Sequence, residues 1–140
     1  MATQVRKIPG LMTLPRVHSA RGNLTALQSR IDVPFEIKRV FYIYDVPDGE
    51  TRGGHAHHQL HELIIAVNGS LNVLTDDGIS STTFTLNRAY IGLYIPPLTW
   101  RQLVNISSGT VCLVLASEFY CEEDYIRDYR DFCRMTGRPD

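Results

Sequence analysis

Turn-forming residues interrupt this 140-residue chain at short intervals, and this spacing restricts its fold more than any other feature. The segments between the turns are short and rich in β-branched and aromatic residues, which favour strands. A series of short strands joined by turns is typical of an antiparallel sandwich or a small barrel, so we expect an all-β fold. The turn signals are Pro47-Asp48-Gly49, Asn68-Gly69, Asp76-Asp77-Gly78, Pro96-Pro97 and Ser107-Ser108-Gly109.

Two parts of this pattern give more specific predictions. Asn-Gly between two strand-like segments is a strong hairpin signal, so residues 62–67 and 70–75 are expected to pair across Asn68-Gly69. Residues 122–135 begin with acidic side chains and continue with apolar residues at helical spacing, which predicts one amphipathic C-terminal helix. The other strands are expected at residues 24–28, 36–46, 80–86, 90–95, 101–106 and 111–117.

Composition narrows the class of protein. A chain of this length can form one domain with a hydrophobic core, and we assign residues 1–140 to a single domain. The formal net charge of −1 gives no electrostatic reason to expect a nucleic-acid partner or a membrane surface. No segment is long and apolar enough to predict a transmembrane span. The three cysteines have no metal-type spacing, which suits a reducing compartment, so we expect a cytoplasmic protein.

Four of the five histidines lie between positions 55 and 61, directly before Glu62. Residues two apart on a strand face the same side, so His55 and His57 are expected to point together, with His58 pointing outward. Glu62, on the following segment, can reach the same space. Two imidazoles and a carboxylate can hold a divalent metal ion, or they can place a general base beside a group that orients it.

The spacing of these residues resembles the first cupin motif at every fixed position, namely Gly49, His55, His57, Glu62 and Gly69. The second cupin motif places a histidine between a proline and an asparagine. Pro96 and Asn105 are present here, but Arg101 stands at the histidine position. A guanidinium stays cationic and does not replace imidazole as a metal ligand. The resemblance therefore implies a cupin that lacks one of the usual four ligands.

A closer resemblance covers almost the whole chain. RGNL (21–24), PFEIKRVFYIYDVP (34–47), RGGHAHHQLHELI (52–64), IPPLTW (95–100) and LVLASEFYCEEDYIRDY (113–129) resemble the sugar 3,4-ketoisomerase family, which acts on dTDP-linked 4-keto-6-deoxyglucose. The resemblance implies a small cupin barrel of the jelly-roll type with a short C-terminal helix. It also implies a homodimer with exchanged strands, no metal and no cofactor. The keto group would move from C4 to C3 of the hexose.

The reaction removes a proton at C3, passes through an enediol and returns a proton at C4. It therefore needs acid/base groups, and it needs a group that stabilises the negative charge on the oxygen. We predict His55 and His57 as the catalytic pair, without deciding which is the C3 base. By family position Arg21 and Arg52 are assigned to the diphosphate. We predict that Tyr42 binds the sugar or the thymine and that Arg101 faces the cavity and steadies the oxyanion.

The sequence alone does not decide the roles of several other side chains, and it allows two other functions. His58 and His61 are expected at the surface or the rim, and Tyr44 and Trp100 suit a core role at least as well as a binding role. The same residues would also allow a metal-dependent cupin oxygenase that uses His55, His57 and Glu62 as ligands. A cupin that binds a ligand without catalysis is the third possibility.

Overall fold

A computed structural model describes residues 8–139 of the chain and contains two antiparallel five-stranded sheets. In spatial order the strands of the first sheet are β1 (Gly10–Thr13), β9 (Ile91–Ile95), β6 (Glu62–Asn68), β11 (Val111–Ala116) and β4 (Arg39–Ile43). Those of the second sheet are β12 (Tyr125–Ile126), β5 (Arg52–His57), β10 (Trp100–Val104), β7 (Leu71–Asp76) and β8 (Ser81–Leu86). A separate hairpin joins β2 (Val17–Ser19) to β3 (Gly22–Leu24), and the helix α1 spans Tyr129–Thr136. The all-β prediction with a short C-terminal helix is confirmed.

The main core lies between the two sheets. Strand β6 shows how it is built, because Ile64 and Ala66 face this core while Leu63 and Ile65 face the opposite side. That opposite side is covered by a second cluster, so β6 is buried on both faces and its sequence is continuously apolar instead of alternating. Residues of the main core are Ile64, Ala66, Leu71, Val73, Leu86, Leu93, Ile95, Leu103, Cys112 and Val114.

The Asn68-Gly69 turn is present, but the hairpin predicted around it is wrong. Strand β6 pairs with β9 and β11, and β7 pairs with β10 and β8, so the turn carries the chain from one sheet to the other. Each of these two strands already has a partner on both edges within its own sheet, which leaves no free edge for β6 and β7 to pair with each other. Gly69 is required here because its φ is +78° and an added Cβ would lie 2.3 Å from Oγ1 of Thr110.

The helix predicted over residues 122–135 is wrong in its first half. Glu122–Asp124 form a short 3₁₀ turn, and β12 then pairs with the edge of β5. The helix α1 begins only after Asp128, whose carboxylate accepts a hydrogen bond from the backbone N–H of Arg130. It ends at Gly137, which adopts the left-handed conformation. No helix in residues 8–139 is long and apolar enough to cross a membrane.

Two predicted strands are longer than the observed ones. The strand expected over residues 36–46 is observed as β4, from 39 to 43. The strand expected over residues 24–28 is wrong, because β3 spans Gly22–Leu24 and shares only Leu24 with it. Residues 27–37 instead fold over the outer face of the first sheet, where Val33 and Phe35 join the second cluster. This tertiary packing outweighs the strand propensity of the flanking residues.

Candidate active site

A cavity of about 470 Å³ opens beside β4, β5 and β12. This volume lies within the usual range for small-molecule sites, and both aromatic and charged side chains line it. The lining residues are Phe41, Tyr42, Ile43, Tyr44, Arg52, Gly53, His55, Glu62, Tyr125 and Arg127.

His55 and His57 lie on the same face of β5, as their spacing predicts. Ala56 between them packs on the other face, against Ile126 and Phe132 of the tail. The imidazole rings meet edge to face with 4.8 Å between their centres. His57 is fully buried and His55 is half-buried, so the pair extends from the cavity into the barrel.

Glu62 and Arg101 form a buried ion pair beside the histidines. Strand β10 pairs with β5 so that Arg101 lies opposite His55. Nη1 of Arg101 lies 2.7 Å from Oε1 of Glu62 and 3.4 Å from Nε2 of His55. Arg101 is only 1% exposed, and its Nε and Nη2 atoms have no hydrogen-bond partner among the described residues. Buried donors of this kind are stabilised when they meet an acceptor, so the site can bind oxygens of a ligand.

The arrangement does not fit a metal ion. Nitrogen and oxygen atoms of His55, His57 and Glu62 lie within 4.8 Å of one another, which is a spacing that a metal could use. However, the guanidinium of Arg101 contacts Glu62 and lies close to His55. A divalent ion held by these residues would face a fixed positive charge, and the guanidinium offers it no lone pair.

Burial sets the protonation of the two histidines. It lowers the pKa of His55 from 6.5 to about 3 and that of His57 from 6.5 to about 2, and the positive charge of Arg101 adds to both shifts. Both imidazoles are therefore neutral near pH 7, which is the form that accepts a proton. Burial also raises the pKa of the Glu62 carboxyl, and the adjacent Arg101 opposes this rise.

The sequence interpretation missed the contribution of the C-terminal tail to the site. Tyr125 pairs with His57 across β12 and β5, and its ring centre lies 4.3 Å from that of His57 and 5.0 Å from that of His55. The guanidinium of Arg127 stacks over the Tyr125 ring at 4.1 Å and donates two hydrogen bonds to Glu122. The DYIRDY block was a signal for these residues, but the predicted helix placed them away from the barrel.

Asp124, also missed, anchors the tail to the end of β5. Its carboxylate accepts hydrogen bonds from the backbone N–H groups of Gln59 at 2.9 Å and Leu60 at 3.2 Å. Its carbonyl oxygen accepts a further bond from the N–H of His58. Oδ2 of Asp124 also lies 3.3 Å from Nδ1 of His57.

The predicted substrate-binding residues fall in three different places. Arg101 is inside the barrel, whereas Arg52 and Tyr42 lie at the cavity. Phe41 packs against the main core, so Tyr42 is on the opposite side of β4, where it is 60% exposed. Arg21 lies in the turn of the β2–β3 hairpin and does not line the cavity of its own chain.

The side chains left open by the sequence are also placed. Tyr44 is exposed beside Tyr42, which contradicts a core role, whereas Trp100 packs against Tyr129 and Phe132 in a structural cluster. His58 is exposed as expected. His61 is half-buried, and its Nδ1 lies 2.7 Å from the Tyr94 hydroxyl.

Comparison with known proteins gives consistent matches over most of the chain. The FdtA family, described as WxcM-like, C-terminal, matches residues 7–137. The TDP-4-oxo-6-deoxy-alpha-D-glucose-3,4-oxoisomerase of Aneurinibacillus thermoaerophilus is 40% identical over 128 residues, which cover 91% of this chain and 92% of that protein.

Two solved structures share both fold and sequence with the chain. QdtA, a sugar 3,4-ketoisomerase from Thermoanaerobacterium thermosaccharolyticum in complex with TDP, has a TM-score of 0.89 and 40% identity, covering 92% of this chain and 94% of that chain. WlaRB, a TDP-quinovose 3,4-ketoisomerase from Campylobacter jejuni, has a TM-score of 0.87 and 43% identity, covering 92% and 99%. The similarity thus includes the strands that carry the histidines, Glu62 and Arg101.

Proposed function

This chain belongs to the FdtA family, and from that premise we propose that it is a sugar 3,4-ketoisomerase acting on TDP-4-keto-6-deoxyglucose. Its fold is a small antiparallel barrel of the cupin type, like that of the ketoisomerases it matches. The proposal depends mainly on the position of the neutral pair His55 and His57 beside the buried Arg101, where His55 lines the cavity. This arrangement provides bases and a cation without any redox group, and a keto shift within one sugar requires no net oxidation.

The first half of the reaction is a proton abstraction. One imidazole of the pair His55 and His57 takes the proton from C3, the C–H electrons form a C3=C4 double bond, and the negative charge moves to the oxygen on C4. Nε and Nη2 of Arg101 have no partners among residues 8–139 and can donate to this oxygen. Such donors stabilise the charge more strongly inside a buried site than they would in water.

The second half reverses these movements at the neighbouring carbon. The oxygen on C4 takes up a proton and the hydroxyl on C3 loses one. The C3 oxygen then forms the C3=O bond, and the electrons of the C3=C4 double bond take up a proton at C4. Two imidazoles 4.8 Å apart allow one group to serve the carbon while the other carries protons between the oxygens. The product and the substrate have the same composition, so the cycle closes without a cofactor.

Substrate binding involves the cavity mouth. Arg52 lies there, and its guanidinium stays positively charged and can donate two parallel hydrogen bonds to the diphosphate. Tyr42 presents its ring to the sugar or the thymine. TDP is the nucleotide bound by QdtA, which supports the same nucleotide here. The exposed Arg127 adds a further positive charge at the same opening.

We also propose a homodimer with exchanged strands. Every residue of β2 and β3 is exposed, and among residues 8–139 these strands pair only with each other. A two-stranded hairpin alone is marginally stable in water, so a second subunit is needed to cover it. The partner subunit's Arg21 would then reach the cavity that the Arg21 of the same chain does not line. A cytoplasmic location fits the three free thiols.

The other two functions are less well supported. The metal-dependent oxygenase needs His55, His57 and Glu62 as ligands, but Arg101 contacts this set and the relatives are ketoisomerases. A binding protein does not require two neutral imidazoles at a ligand-sized cavity.

The direct test is conversion of the proposed substrate. Chelator-treated protein is incubated with TDP-4-keto-6-deoxyglucose carrying ¹³C at C3 and C4, and the ketone signal is followed by NMR. We expect the ketone carbon to change from C4 to C3. A ketone that remains at C4 with well-folded protein would overturn the proposal.

A further inference from the structure

His57 is buried without a hydrogen bond that fixes its tautomer. Both of its ring nitrogens are inaccessible to solvent and have no hydrogen-bond partner in the described part of the chain. A neutral imidazole accepts a proton only at the nitrogen that lacks one. The protonated nitrogen is determined by the group facing it, so a catalytic His57 needs a neighbour that selects one tautomer.

Asp124 is the acidic side chain in that position. Its Oδ2 atom lies 3.3 Å from Nδ1 of His57, within ion-pair distance but out of line for a hydrogen bond. A small rotation of the imidazole would complete an Nδ1–H···Oδ2 bond, and catalytic hydrogen bonds are often long before the substrate binds. A carboxylate only accepts hydrogen bonds, so this contact selects the tautomer with the proton on Nδ1.

The Asp124 carboxylate is itself held in place. The backbone N–H groups of Gln59 and Leu60 donate to its two oxygens, and both residues follow His57 closely in the chain. Its own backbone accepts from the N–H of His58. The side chain is therefore fixed relative to the end of β5, which is a requirement for a group that orients another.

We propose that Asp124 is a positioning residue that keeps a proton on Nδ1 of His57 and leaves Nε2 unprotonated, as the nitrogen that can accept a proton. The effect on catalysis rests on the proposed ketoisomerase function, whereas the tautomer itself does not. The C-terminal tail therefore does more than line the cavity, because the pairing of β12 with β5 brings Asp124 next to His57.

The tautomer is measured directly by ¹⁵N NMR of the ¹⁵N-histidine-labelled, ligand-free protein. The resonances of His57 are assigned by their absence in His57→Asn. We expect a protonated Nδ1 and an unprotonated Nε2 at pH 7. A proton on Nε2 would overturn the proposal. This measurement requires neither the substrate nor a variant of Asp124.

The matching variant is Asp124→Asn. The N–H of Gln59 donates at 2.9 Å and that of Leu60 at 3.2 Å, so we expect the amide oxygen to stay on the Gln59 side and the longer Leu60 bond to be lost. The amide NH₂ group then faces Nδ1 of His57 and donates to it. The proton of His57 should then change to Nε2. We expect kcat to fall at least about tenfold while KM stays within about threefold, since the side chain does not touch the substrate.

Ser117→Ala is the control for simple loss of loop anchoring. The Ser117 hydroxyl accepts a hydrogen bond from the N–H of His61 at 2.8 Å, so it anchors the same loop at a different residue from those that hold Asp124. We expect this variant to keep the His57 tautomer and a kcat within about twofold of wild type. Equal kcat losses in both variants with an unchanged tautomer would assign Asp124 a structural role only. If the wild-type protein shows the expected tautomer but no ketoisomerase activity, the proposed function would be wrong. The proposed role of Asp124 in fixing the His57 tautomer would still be supported.

Discussion

Nη1 of Arg101 lies 2.7 Å from Oε1 of Glu62, and this contact is buried in the barrel beside His55 and His57. In a cupin with four metal ligands, the positions of Glu62 and Arg101 would hold two of those ligands. Glu62 occupies one edge of the guanidinium and leaves Nε and Nη2 for a ligand. In this account the protein uses a covalently attached cation to stabilise the negative charge that develops on the sugar.

The first prediction separates the structural role of this pair from its catalytic role. Arg101→Met leaves Glu62 buried without its partner and should lower the free energy of unfolding by about 3–5 kcal/mol. Replacing both residues, with Arg101→Met and Glu62→Leu, removes the stranded charge and should restore most of that stability. Urea unfolding gives these values. The kcat of the double variant should nevertheless stay at least about 100-fold below wild type, because the donors are lost. A double variant that recovers both stability and activity would contradict the role of Arg101.

The second prediction concerns the histidine pair. His55→Asn and His57→Asn should each lower kcat by about 10²–10⁴-fold with smaller changes in KM, which is the contribution expected of a positioned acid/base group. Steady-state kinetics with TDP-4-keto-6-deoxyglucose measures both constants. His58→Asn is the matched control, because His58 is exposed at the end of the same strand and should keep wild-type activity. A similar loss in His58→Asn would show that the cluster is sensitive to substitution in general.

The third prediction is a pH dependence of stability. The folded pKa values of His55 and His57 are about 3 and about 2, against 6.5 in the unfolded chain, so below pH 6.5 the unfolded chain binds more protons. Stability should therefore fall as the pH decreases from 6.5 towards 3, by at most about 1.4 kcal/mol per pH unit for each histidine.

Urea unfolding between pH 7 and pH 4.5 tests this dependence. The double variant His55→Asn with His57→Asn should show a shallower decline than wild type, because only the two imidazoles differ. Identical pH profiles for the two proteins would mean that these histidines are not held neutral by burial.

The fourth prediction tests whether Arg21 acts across a subunit interface. Arg21→Ala and His57→Asn proteins are each expected to have low activity. In a mixed dimer with exchanged strands, one site would contain both substitutions and the other site neither. Unfolding and refolding the two variants together should therefore recover activity, up to about half of wild type per mixed dimer. Mixing that recovers nothing, although mixed dimers are detected by native mass spectrometry, would contradict the exchange.

The sequence predicted those parts of the site that depend on local spacing. The i, i+2 relation placed His55 and His57 on one face, and the motif spacing indicated that Glu62 and Arg101 lie beside them. It failed where partners are distant in the chain. Strand propensity cannot show that β6 pairs with β9 and β11 instead of with β7. Nor could the apolar spacing of the tail reveal that Tyr125 and Ile126 extend the edge of β5, because a two-residue strand has no periodicity of its own.

The measurement that tests the central claim most directly is a proton NMR time course in deuterated buffer, with TDP-4-keto-6-deoxyglucose and chelator-treated enzyme. The account predicts a 3-keto product with deuterium at C4, formed without added metal, because the histidines exchange protons with solvent between the two half-reactions. The coupling pattern at C4 also gives the configuration of the product. Turnover only after a metal is restored, or no 3-keto product from well-folded enzyme, would contradict this mechanism.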